Sequence, residues 1–181
     1  MQDWLNEAVN DIEQRHLLRR IRWFVGLFIA GLVVSGVTAI PLESELTWLA
    51  QVTGARARLD QSSPPTWAEW LCRVEAALRE VNSKHPFISY GGDWLAFGHF
   101  VIAIAFIGAW RNPVQNGWLF DFGLIACALV IPFALAFGAL RGIPIWWRLI
   151  DCSFGVLGAV PLWLARRWVG KMRSKELRSG S

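Results

Sequence analysis

Asp93, His99, Arg148 and Asp151 are the residues whose types and spacing could do chemistry, because each is an ionisable group set in apolar sequence. Arg141 and Tyr90 lie close enough along the chain to join them. Arg148 and Asp151 are three apart, a spacing that lets a guanidinium and a carboxylate meet on one helix face. A charged side chain within a membrane span costs about 2.5–3.5 kcal/mol on insertion scales, and partners lower that cost. Three kinds of chemistry fit such a set: an ion pair that fixes helix register, a pocket for a lipid or glycolipid headgroup, or a metal site. The register-fixing pair is the simplest reading. Metal binding fits least, since Asp93 and His99 are six apart, about 120° around a helix, and do not converge. His99 as a pigment or haem ligand lacks a second intramembrane histidine, because His16 and His85 fall outside the apolar runs. No cofactor is expected, and a bound lipid is the ligand class left open.

The elements that must position these residues are legible from hydropathy. Residues 1–22 read as an amphipathic tail, with Trp4, Leu5, Val9, Ile12 and His16 at helical spacing, suited to the membrane surface or to a partner. Trp23 to Leu42 is free of charge and long enough to cross the hydrocarbon core. Gly31, Ser35 and Ala39 form a small-xxx-small stripe on it, a helix-packing signal. Residues 43–92 form a polar insertion with two amphipathic stretches separated by Pro64 and Pro65, expected as a cap. Thr66 and Glu69 have capping-box spacing at the start of the second stretch. Further spans are expected at 93–110, 117–140 and 145–165, followed by a basic tail at 166–181. Gly155 and Gly158 share a face with Asp151, which points that acid toward neighbouring helices rather than lipid. Pro132 and Pro161 fall inside the last two spans. The expected fold is therefore an all-α integral membrane protein of four transmembrane helices, with amphipathic helices capping it between the first and second spans.

Composition agrees. The chain of 181 residues is 54% hydrophobic and 18% charged, too little charge for a soluble domain of this size. Twelve tryptophans stand against one tyrosine, and most lie near the ends of the apolar runs, where indoles settle at the membrane interface. The net charge of +4 does not imply nucleic acid, because the basic residues flank apolar runs and no reading motif is present. Arg15, Arg19, Arg20, Arg22, Arg111, Arg166, Arg167, Lys171, Arg173, Lys175 and Arg178 fall to one side of four crossings. The remaining basic residues are mostly spread through the 43–92 insertion beside Glu43, Glu45, Asp60, Glu69, Glu75 and Glu80. The positive-inside rule then places both termini in the cytoplasm of a bacterial-type inner membrane. The first apolar run reads as a signal anchor rather than a cleaved leader. Cys72, Cys127 and Cys152 have neither metal nor CxxC spacing, and no disulfide framework is expected. Nor is there a G-x-S-x-G, H-E-x-x-H or P-loop motif, and Ser153 has no histidine partner at any usable spacing.

"DWLAFGHF" and "RLIDCSFGVLG" resemble the Asp…His…aromatic and Arg…Asp…Gly patterns of VanZ-like proteins, a family of multi-span membrane proteins associated with teicoplanin resistance. The resemblance covers the second to fourth spans. It implies a polar site at Asp93, His99, Arg148 and Asp151, with no established chemistry. The chain departs from the pattern in its longer Asp93–His99 gap and in Gly155, where an Asn is expected.

The function expected from these features is a non-enzymatic accessory or scaffolding subunit of a larger membrane complex, with membrane lipids and other integral subunits as partners. A VanZ-like envelope protein holding a lipid or glycolipid headgroup is the alternative, and a pigment- or haem-bearing subunit using His99 comes third.

Overall fold

The computed structural model describes the backbone of residues 2–179 and the side chains of residues 12–174. The protein is all-α, with no strand among the described residues. Among the described residues seven helices follow in order: α1 (Gln2–Ala39), α2 (Leu42–Val52), α3 (Ala55–Leu59), α4 (Thr66–Lys84), α5 (Pro86–Arg111), α6 (Gly117–Leu140) and α7 (Ile145–Ser179). Four of them are long and apolar enough to cross a membrane: α1 from Ile12, α5, α6 and α7 up to Ser174. Only 17–28% of each apolar window is buried within the protein. Large side chains such as Trp23 (75% exposed), Ile104 (65%) and Leu157 (67%) point outward. This surface suits lipid tails, which are as apolar as the side chains they meet.

The chain forms two compact units, Met1–Gly31 with Ile102–Ser181, and Leu32–Val101. In the first, α6 and α7 pack with segments of α1 and α5 around a shared core. Ile21, Val25, Phe106, Phe120 and Leu162 are its largest fully buried side chains. Glycines bring α6 and α7 together. A Cβ added at Gly155 would lie 2.5 Å from the Cys127 carbonyl oxygen, and one at Gly158 would lie 3.0 Å from Cys127 Sγ. At Gly123 it would meet Leu162 at 2.6 Å and Phe106 at 2.9 Å. The α6–α7 turn closes with Gly142 in the left-handed region (φ 69°). Ile143 N–H donates to Gly138 O at 2.8 Å and Gly142 N–H to Ala139 O at 3.1 Å, the Schellman pattern that ends a helix at glycine. Both α6 and α7 run on through Pro132 and Pro161.

The N-terminal tail and the first span are continuous, because α1 is one helix of 38 residues. At about 1.5 Å per residue it is roughly 57 Å long, nearly twice the hydrocarbon thickness. Leu17, Ile21 and Val25 recur every fourth residue and join the core with Leu162, Ala165, Val169 and Met172 of α7. Phe24 meets Trp168 edge-on at 5.2 Å. Packing on a neighbouring helix therefore continues into the charged stretch. Trp4, Leu5 and Val9 of the expected amphipathic face lie outside the described side chains.

The second unit holds α2, α3 and α4, which pack on one another. Leu46 and Ala50 of α2, Ala55 of α3, and Ala68 and Leu71 of α4 are buried. The first of the two expected amphipathic stretches, the one before Pro64, divides at Gly54, whose positive φ (64°) turns the chain between α2 and α3. The Thr66–Glu69 capping box does not form. Extended Pro65 occupies the N-cap, and its carbonyl accepts from Ala68 N–H at 2.9 Å and Glu69 N–H at 3.2 Å. Thr66 is thus inside the first turn, one position too late to cap it. The helix expected from residue 93 begins at Pro86, since a proline in the first turn forfeits no helical hydrogen bond. Gly36 of α1, rather than Gly31, is the close-approach glycine here. Its added Cβ would lie 2.7 Å from Phe100 Cε1 and 3.1 Å from Ala96 O, whereas one at Gly31 meets nothing within 4 Å.

Candidate functional site

The six residues expected at a polar site are carried by both units: Tyr90, Asp93 and His99 by one, Arg141, Arg148 and Asp151 by the other. Tyr90 and Asp93 sit in the first turns of α5, not in a loop, and both are exposed. Tyr90 stacks edge-on with Trp94 at 6.0 Å. His99 Nδ1 lies 2.8 Å from Leu95 O one turn back on its own helix. A carbonyl only accepts, so Nδ1–H is the donor in this contact.

Arg148 and Asp151 do not pair. The Arg148 stem lies across Gly138 of α6, where an added Cβ would meet its Cδ at 2.5 Å and its Cγ at 2.6 Å. Its guanidinium Nη1 donates to Leu135 O at 3.3 Å, while Nε is buried without a partner. The lack of a Cβ at Gly138 draws the arginine toward α6 and away from the acid on its own helix. Asp151 is half-buried on α7 and takes part in none of the ion pairs among the described residues. Arg141 is exposed at the C-cap of α6.

Two polar constellations lie outside the expected set. The first centres on Glu75 of α4, the one buried charged side chain among the described residues (4% exposed). Its Oε1 accepts from Arg56 of α3, from Arg79 Nη2 at 2.7 Å and from Thr47 Oγ1 of α2 at 3.0 Å. Three helices thus converge on one carboxylate. Burial opposes its charge, but the hydrogen bonds from Arg56 and Thr47 and the charges of Arg56 and Arg79 win, holding Glu75 below the usual carboxylate range. Nearby, burial and then the Glu75 charge push the Cys72 thiol up, against the opposing Arg56, which disfavours its use as a nucleophile. The second constellation is Asp121 of α6 with Arg166 of α7. Arg166 Nε donates to Oδ1 at 2.8 Å and Nη2 to Oδ2 at 3.1 Å, a two-pronged pair on a half-exposed surface. Only the i,i+4 spacing of Glu75 and Arg79 gave a sequence signal for either group. Asp121 and Arg166 are 45 residues apart, beyond any local rule.

Among the described residues no three His, Cys, Asp or Glu side chains converge as a metal site. An apolar groove of about 400 Å³ runs along α6 and α7, lined by Cys127, Ala128, Ile131, Gly155, Ala159 and Trp163 among others. Comparison with protein-family models, curated proteins and solved structures finds no match for this chain.

Proposed function

We propose that this protein is a non-enzymatic accessory or scaffolding subunit of a larger assembly in a bacterial-type inner membrane, with both termini cytoplasmic. The observation that carries the reading is the groove along α6 and α7. It opens on the apolar flank of the helix pair, and Ala128, Gly155 and Ala159 make it shallow-walled enough for another helix to approach. Packing of this kind, not apolar burial, drives helix association in lipid. The test is native gel electrophoresis after mild detergent extraction. The chain is expected to travel with partner subunits, and Ala128→Phe, which fills the groove at an exposed position, is expected to release it as a folded single chain. Monomeric behaviour of the natural chain would defeat the proposal.

A second reading, a VanZ-like envelope protein holding a lipid or glycolipid headgroup, draws on Asp151. A half-buried carboxylate without an ion pair has acceptor capacity to spare for a ligand hydroxyl or ammonium. Asp151→Asn would then lower the amount of co-purifying lipid; the same amount at the same thermal stability removes the reading.

A further inference from the structure

We propose that the groove between α1 and the end of α5 binds an anionic phospholipid, its phosphate held by Arg15, Arg19 and Arg22 and an acyl chain lying along Gly26 and Ala30. The groove, about 670 Å³, is lined by these residues together with Leu18, Trp23, Leu27 and Trp110. At about 100° per residue, Arg15, Arg19, Arg22 and Gly26 fall within about 60° of arc on α1. The stripe is cationic up to Arg22 and uncharged beyond it, where the charge-free run starts. It therefore passes from headgroup chemistry to acyl-chain chemistry along a single helix face.

The guanidiniums keep their charge for a ligand. Arg22 donates to the carbonyl oxygens of Trp110 (3.3 Å) and Arg111 (3.4 Å) and lies 5.5 Å from the Trp110 ring, all neutral partners. Those contacts also fix its position at the C-terminal end of α5, where carbonyls are unsatisfied. Arg15, Arg19 and Arg22 enter no ion pair among the described residues. A cationic rim over an apolar floor fits a phosphodiester with a fatty chain. A soluble anion would leave the floor unused, and a zwitterionic lipid such as phosphatidylcholine would bring its own cation to the rim.

The experiment is native mass spectrometry of the full chain titrated with phosphatidylglycerol or phosphatidylcholine. Each basic residue near an anionic lipid surface contributes about a factor of five. Phosphatidylglycerol is therefore expected to be retained about tenfold or more over phosphatidylcholine. Arg15→Gln with Arg19→Gln is expected to remove about a factor of 25. Lys171→Gln with Arg173→Gln makes the same charge change on α7 and is expected to leave retention intact. Ala30→Trp, which fills the exposed apolar end without altering charge, is expected to lower phosphatidylglycerol retention and decides the matter if the arginine variant does not fold. Equal retention of the two lipids by the natural chain, an equal loss in the α7 control, or full retention in the Ala30→Trp variant would overturn the proposal.

Discussion

Glu75 shows what a single side chain does in this protein. Its carboxylate is buried, yet three donors from three helices keep it charged, so it ties α2 and α3 to α4 at one point. Removing one partner of such a group leaves polar atoms unsatisfied, at a cost of about 1–3 kcal/mol. Arg56 and Arg79 are about half exposed and can turn to water, which keeps the cost within that range. The pH dependence follows from the direction of the shift. With the folded value lowered, the stabilisation is fully present above the ordinary glutamate pKa of about 4.3. It is lost as pH falls through the lowered folded value. Amide hydrogen exchange in α4, corrected for intrinsic rates, is expected to lose protection on acidification below that point. In Glu75→Gln, protection is expected to be lower at neutral pH and nearly flat with acid. Protection in the natural chain that ignores pH would refute this role.

Among the elements, α1 carries the largest departure from the sequence pattern. Hydropathy divides it at Trp23, where charge gives way to an apolar run. Packing does not, since Leu17 and Ile21 on the charged side belong to the same core as Val25 on the apolar side. Helix α7 behaves alike, with Val169 and Met172 buried beyond Arg166 and Arg167. Both helices are longer than the bilayer needs, so their charged ends project together as a packed pair. Ile21→Ala is therefore expected to destabilise the protein by about 2–5 kcal/mol, the range for deleting a fully buried aliphatic side chain. Ile12→Ala, at a position 56% exposed, should change stability by less than about 0.5 kcal/mol. Thermal unfolding in detergent distinguishes the two outcomes. Equal, small effects would mean that the charged stretch of α1 does not pack.

For the whole molecule, the proposed topology assigns each loop a side of the membrane. In the proposed topology, with both termini cytoplasmic, the 43–92 insertion lies outside. Ser63 lies exposed in the loop between α3 and α4, whereas Cys127 and Cys152 are buried. In Ser63→Cys, a membrane-impermeant maleimide is expected to label the new thiol in intact spheroplasts as fully as in lysed ones. Labelling only after lysis would reverse the topology. The native Cys72 thiol, with its raised pKa, is a poorer reporter because less of it is thiolate at neutral pH.

The sequence by itself determined the all-α class and the four apolar crossings, because span length is set by the bilayer and backbone hydrogen bonding in lipid permits little else. It also marked the break within the 43–92 insertion, since Pro64 and Pro65 restrict the backbone wherever they stand. It put Gly155 and Gly158 on one face, and the structure finds both against Cys127. Only the tertiary structure decided the polar partners. Arg148 turned from Asp151 to the α6 backbone because Gly138, ten residues away, left room for its stem. Asp121 found Arg166 across 45 residues, and Glu75 found Arg56 and Thr47 on other helices. Local spacing says which groups can meet on one helix. Which groups do meet depends on the free volume between helices, and that exists only once they are packed.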